Sequence, residues 1–230
     1  MTDTNISPSS HPIVDNFVAP QCDDFIDILY QDDDILLINK PSGLLSVPGK
    51  NPLNSECLIS RVQQNYPEAR IVHRLDMDTS GIMVLAIGAE SHRALSKQFE
   101  QRLTHKEYTA IVYGVVENNE GTIELPLICD WPNRPKQMVC HTAGKQALTH
   151  YEVLERLEDR TRLLLKPVTG RSHQLRVHTM AIGHPILGCE FYAPPEAFKM
   201  ASRLQLHATR LHINHPVTGQ RVDGYSPVPF

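Results

Sequence analysis

The sequence predicts a mixed α/β fold: one domain on a central, largely antiparallel sheet flanked by helices and loops. Strand-like segments outnumber helical ones, and most are short and joined to near neighbours. No internal repeat or Gly/Ser linker divides the chain. With 230 residues, 41% hydrophobic and 21% charged, the chain can bury one sizeable core.

Residues 1–24 read as an acidic, flexible arm, because Pro8, Pro12 and Pro20 interrupt any period. The ordered domain is expected over residues 25–230. Residues 25–30 and 35–39 are apolar runs around the aspartates 32–34, which predicts a hairpin closed by Pro41 and Gly43. Residues 54–65 can form a helix with Leu58, Ile59 and Val62 inward. Residues 81–87 are a continuous apolar run, as a central strand requires. Over residues 90–103, Ala94, Leu95, Gln98, Phe99 and Leu103 recur at helical spacing, leaving Arg93, Lys97 and Arg102 to face outward. Residues 107–116 alternate and are rich in β-branched and aromatic side chains, so they read as a strand. Residues 125–135 are Pro-rich and carry the only tryptophan, Trp131, in a structured loop. Residues 150–157 and 162–167 read as paired strands, 172–182 as a helix ended by Gly183, and 204–213 as a last strand before a Pro-rich tail.

Composition narrows the function. The formal charge is −4, which excludes a protein that holds nucleic acid by bulk charge alone. Residues 1–39 hold eight aspartates and no Lys or Arg, so the rest of the chain is mildly basic and can carry a local basic face. The five cysteines include no CxxC pair, a poor disulfide framework and a poor zinc site. No apolar run approaches the ~20 residues of a membrane span, and Met1 to Ser10 lack a secretory pattern. A cytoplasmic location with free thiols follows as the expectation.

Three polar segments interrupt apolar surroundings. In residues 71–81, Arg74 and Asp76 sit on a loop that feeds the central strand. Asp76 can cap a turn with Arg74 as its ion-pair partner, or it can serve chemistry at a sheet edge. In Lys106 to Ala110, Tyr108 opens a strand, as a packed aromatic or as a stacking face. In residues 170–178, Arg171 and Arg176 are five apart in a helical stretch and point in different directions. Among the 12 histidines, neither His173 with His178 nor the 207, 212 and 215 set matches a metal spacing, so no metal is expected. Asp76 and Asp78, two apart on a turn, do not make the carboxylate pair of a glycosidase.

Residues 72–86 (VHRLDMDTSGIMVLA) resemble the nucleophile motif of the RluA family of pseudouridine synthases. Residues 106–108 and 170–178 (GRSHQLRVH) resemble that family's next two motifs, in order. Residues 39–44, 184–188 and 206–208 match further signatures. Residues 127–137 resemble its dual-specificity branch, which modifies 23S rRNA and the tRNA anticodon stem-loop. Residues 1–27 are too few and too acidic for the S4-like RNA-binding domain that many relatives carry. The resemblance implies that Asp76 is the nucleophile, Tyr108 stacks on the target uracil, and Arg176 is the basic partner of Asp76. It implies that Arg74 enters the RNA stack near a flipped base, with His73 beside it.

This chemistry is consistent with the residue types. Isomerising uridine breaks N1–C1′ and joins C5 to C1′, so no cofactor is needed. A carboxylate can act at the sugar, and a guanidinium within ~4–6 Å favours its charged form. The phenol hydroxyl of Tyr108 can assist removal of the C5 proton. Local charge adds Lys97, Arg102, Lys106, Arg134, Lys136 and Arg171 as RNA contacts. A monomer acting on 23S rRNA and tRNA is the expectation, with an RNA-binding protein lacking catalysis, a metal-dependent hydrolase and, closer, a related synthase with another uridine target as the rivals.

Overall fold

The computed structural model describes residues 17–230. The described residues form twelve strands and four α-helices in the order β1 (Asp27–Gln31), β2 (Ile35–Lys40), α1 (Leu58–Val62), β3 (Ala69–Ile71), β4 (Ser80–Ile87), α2 (Gly88–Glu100), β5 (His105–Tyr113), β6 (Glu120–Glu124), β7 (Leu127–Cys129), β8 (Gln137–Val139), β9 (Leu148–Arg156), β10 (Arg160–Pro167), α3 (Gln174–Ala181), α4 (Pro195–Lys199), β11 (Leu206–Asn214) and β12 (Arg221–Tyr225).

Ten strands make one sheet. Its path is β1-β2-β4-β11-β5-β10-β9-β6, with β12 on β11 and β3 on β4. All of its pairings are antiparallel except β11 with β4. Strand β4 shows why its sequence is apolar without alternation. Ile82 to Ala86 are all 0–2% exposed, because β4 is paired on both edges and covered on both faces. Helix α2 buries Ser91 and Leu95 and leaves Arg93 and Lys97 exposed. Two clusters form most of the core. One lies under β2, β4 and α1; the other lies under β5, β10 and α3, and Tyr108 packs against both.

Several expectations are revised. The helix expected over 54–65 is confined to Leu58–Val62. The side-chain amide of Asn54 is bonded to Phe17 and Ala19, and residues 63–66 run into Pro67, which disfavours helix before it. Within the arm read as flexible, residues 1–16 lie outside the described residues, while 17–24 are tied down. Arg61 donates to the carbonyls of Cys22 and Asp24, and Asn54 holds Phe17 and Ala19. The Pro-rich 125–135 loop contains β7, and a single 3₁₀ turn over Trp131–Asn133 links it to β8 in a two-stranded hairpin. The tail contains β12. The polar strands β6 and β12 lie at the sheet's margins, where alternation is weak.

Strand β11 is the insertion that near-neighbour reasoning missed. It enters from the end of the chain between β4 and β5 and sews two halves of the sheet together. One cross-strand row runs Gly81, Ala208, Tyr108, Leu165.

Candidate active site

Asp76 lies on the loop between β3 and β4, five residues before Gly81 in that row. The loop's carbonyls are bonded to the segment that follows β2. Lys40 Nζ donates to the carbonyls of Met77, Leu44 and Pro41 at 2.7–2.8 Å. Ser42 Oγ donates to Asp78 O, Ser46 Oγ to Leu75 O, and the Gly43 amide to Met77 O. Lys40 is wholly buried, and its three donors match three carbonyls. Burial pushes its pKa down to about 7, against the pull of Asp78 and Asp76. The Asn39 to Leu44 motif is therefore a cradle for the Asp76 loop.

Arg176 comes from α3, which the 170–178 motif docks by its polar side chains. Gln174 accepts from Thr169 and from the Arg171 amide, and donates to Leu148 O and Thr149 Oγ1. His178 bridges Thr149 and Leu125. Arg176 is left to reach the Asp76 loop. Its Nη1 lies 3.4 Å from Asp76 Oδ2, and its Nε donates to Cys189 Sγ. Its guanidinium also sits over the rings of Phe191 and Tyr192. Burial opposes its charge, but Cys189 and Asp76 more than offset this, so its pKa stands above the ordinary value. The Arg176 side chain is 3% exposed and that of Asp76 33%, so the pair has one dry partner and one open to the cavity.

Asp76, Tyr108 and Arg176 line a single cavity of about 830 Å³. Tyr108 presents a hydroxyl with no protein hydrogen bond among the described residues. Burial and the nearby Asp76 push its pKa upward, so it is a phenol at neutral pH. Arg74, Arg102, Lys106 and Arg171 line the same cavity. Arg74 is exposed and has no ion pair among the described residues. Arg171 Nε donates to Gln146 O. Burial and the nearby Arg102 push the Lys106 pKa down.

His73 also lines this cavity. Its Nε2 accepts the Val84 amide hydrogen at 3.1 Å, and its ring stacks on Phe99 at 4.5 Å. Burial drives its pKa to about 3, so the ring is a neutral support in the cavity wall. Lys97 lies outside this cavity, in an adjoining groove of about 750 Å³ with Arg70 and Arg93. Arg134 and Lys136 lie on the β7–β8 hairpin, where Arg134 stacks on the exposed Trp131 at 4.5 Å.

Sequence reasoning quoted His173 and passed over Tyr192. His173 Nε2 is 3.9 Å from Asp76 Oδ2, and its Nδ1 is 2.6 Å from the Tyr192 hydroxyl. One metal-like group exists among the described residues, Asp32, Asp34 and His215. Asp32 is already bonded to the amides of Asp34 and Ile35, to Tyr30 and to His215, so the group is a capped turn between β1 and β2. No helix among the described residues is long and apolar enough to cross a membrane.

The arrangement is a carboxylate beside a guanidinium, under an aromatic ring, in a cavity with a basic rim. The dual-specificity RNA pseudouridine synthase RluA of Escherichia coli K12 is 53% identical over 218 residues, covering 94% of this chain and 99% of that protein. That of Yersinia pestis is 58% identical over 193 residues, covering 84% and 94%. Among solved structures, human RNA pseudouridylate synthase domain containing 1 superposes with a TM-score of 0.76 at 28% identity, over 98% of this chain and 87% of that one. A sequence model of the RNA pseudouridylate synthase family matches residues 34–181, and with these identities the chain belongs to that family.

Proposed function

We propose that this enzyme isomerises uridines in structured RNA, in 23S rRNA and in the tRNA anticodon stem-loop, with Asp76 as the reactive carboxylate. One observation carries the assignment of roles. Residues a hundred positions apart, Asp76 and Arg176, meet at 3.4 Å in the cavity that Tyr108 also lines.

The chemistry follows from the residues. The target uridine is stacked within folded RNA and has to leave the stack to reach a recessed carboxylate. Arg74, long, planar and unpaired, suits the gap so created. The extruded base lies against the face of Tyr108, a contact worth ~1–3 kcal/mol that retains the uracil once its N1–C1′ bond is cut. The Asp76 carboxylate acts at that bond. Arg176 faces that carboxylate at 3.4 Å and, being almost dry, loses little of that attraction to solvent screening. The base turns, C5 bonds to C1′, the C5 proton passes to solvent, and N1 takes up a proton from solvent, so that the product is an isomer of the substrate. Arg102, Lys106 and Arg171 supply the nearest phosphate contacts. Lys97 extends them along the adjoining groove, and Arg134 and Lys136 extend them along the hairpin. The enzyme acts as a cytoplasmic monomer.

Asp76→Asn tests this. The amide keeps the shape of the side chain and lacks its charge. Tritium release from 5-labelled uridine in rRNA or tRNA should fall by at least about a thousandfold, with RNA affinity retained. Turnover near that of the native enzyme would remove Asp76 from the reaction.

A further inference from the structure

Asp76 is addressed from the second half of the molecule through one oxygen. Arg176 Nη1 and His173 Nε2 both face Oδ2, at 3.4 and 3.9 Å, and among the described residues no hydrogen bond reaches Oδ1. His173 is held firmly for this. Its backbone is left-handed, with φ at 53°, just before α3. Its ring stacks on Phe191 at 5.7 Å and meets the Tyr192 ring edge-on.

The position of its hydrogen can be derived. The Gln137 amide donates to the Tyr192 hydroxyl oxygen at 2.8 Å. That oxygen is 2.6 Å from His173 Nδ1. The hydroxyl's own hydrogen has no other acceptor among the described residues, so it goes to Nδ1. Burial holds Tyr192 as a phenol, its pKa pushed up to about 12, and holds His173 neutral, its pKa pushed down to about 4. A neutral imidazole whose Nδ1 accepts carries its hydrogen on Nε2. That hydrogen faces Asp76 Oδ2.

We propose that His173 is a positioning residue for Asp76. With Arg176 it holds Oδ2 and leaves Oδ1 for the substrate, and Tyr192 fixes the required tautomer. The proposal rests on the reading of Asp76 as the reactive carboxylate. The 3.9 Å separation is one that closes to a hydrogen bond when substrate fills the cavity. It also explains why Tyr192 is bonded to β8. The hairpin that carries Arg134 and Lys136 is linked to the carboxylate by only three groups: the Gln137 amide, the Tyr192 hydroxyl and the His173 ring.

Nitrogen NMR of the full-length protein labelled at histidine reads the tautomer, and single-turnover kinetics reads its consequence. We expect the His173 hydrogen on Nε2 in the native protein and a mixture of tautomers in Tyr192→Phe. Tyr192→Phe should lower the rate about tenfold, the loss of one charge-assisted hydrogen bond, at unchanged KM for RNA. His173→Asn, whose amide cannot reach Asp76, should lower it further. His173→Gln places an amide N–H near the Nε2 position and should recover most of the rate. Adding Tyr192→Phe to His173→Gln should then cost nothing more, because an amide has no tautomer to fix. A hydrogen found on Nδ1, an equal cost of Tyr192→Phe in both backgrounds, or equal rates for the Gln and Asn variants would each overturn the proposal. Its failure is distinct from that of the underlying reading: an active Asp76→Asn enzyme would remove the carboxylate's role and leave the His173 tautomer as measured.

Discussion

The first half of the sheet fixes the main chain of Asp76, while the second half fixes its side-chain partners. In the first half, residues 40–46 bond the carbonyls of residues 75, 77 and 78, all within one contiguous stretch. In the second, Arg176 on α3 contacts the carboxylate and Tyr108 on β5 lines the same cavity, and this half is joined to the first by β11, which lies between β4 and β5. The cradle is therefore a local device. The meeting of Asp76, Tyr108 and Arg176 in one cavity depends on a seam, the short parallel pairing of Ser80 and Gly81 with His207 and Ala208. The two can be broken separately.

The seam should show the largest effect. Gly81 has φ at +117°, and a Cβ there would sit 2.2 Å from the Ala208 carbonyl oxygen and 2.5 Å from its amide nitrogen. Neither obstacle is a flexible side-chain end. Gly81→Ala should cost about 4 kcal/mol of stability from backbone strain and overpacking together, measured by urea unfolding. Gly183, which ends α3 with φ at +87° and open space around it, is the control. Gly183→Ala should cost only about 1 kcal/mol. Equal losses at the two sites would mean that the seam is not tight.

The cradle comes next. Lys40→Met keeps the length of the side chain, leaves the carbonyls of Pro41 and Leu44 without a donor, and leaves Met77 O only the Gly43 amide. A loss of about 3 kcal/mol is expected. Because Met77 adjoins Asp76, turnover should fall with little change in KM for RNA. A variant equally destabilised and fully active would show that the cradle is structural only.

The sequence revealed these two regions unequally. Apolar runs and helical spacing disclosed β2, β4, α2 and the β9–β10 pair, because each is stabilised by burying one continuous face or core. The insertion of β11 was hidden, since register with distant strands leaves no local periodicity. At the site, Asp76, Tyr108 and Arg176 stood out through motifs. The reason for Lys40 and Ser42 did not, because a donor bonded to a carbonyl 37 residues away looks like any polar loop residue. Tyr192 was missed on the same ground, and so was the way His73 is anchored in the cavity wall. Its Val84 amide hydrogen bond depends on tertiary packing.

Acid offers the finest separation of seam from cradle, through His207. This residue is 1% exposed on β11, with Nδ1 2.8 Å from Ser80 Oγ across the seam and Nε2 3.1 Å from Ser226 Oγ. Burial pushes its pKa from 6.5 to about 4. Between those values the unfolded chain binds a proton that the native protein refuses. Stability therefore falls as pH drops from about 6.5 towards 4, and is unaffected by this group above that range. At pH 5 the cost is about 2 kcal/mol for a shift of this size. His73 and His173, also held neutral by burial, add to the same trend. The protein should thus lose several kcal/mol between pH 7 and 5, and His207→Gln should shrink that loss by about 2 kcal/mol. The seam's share of the acid sensitivity is then that difference, measured by unfolding at the two pH values. A loss of the same size in His207→Gln would mean that the proton enters elsewhere, and that the strands on either side of the seam stay paired in acid.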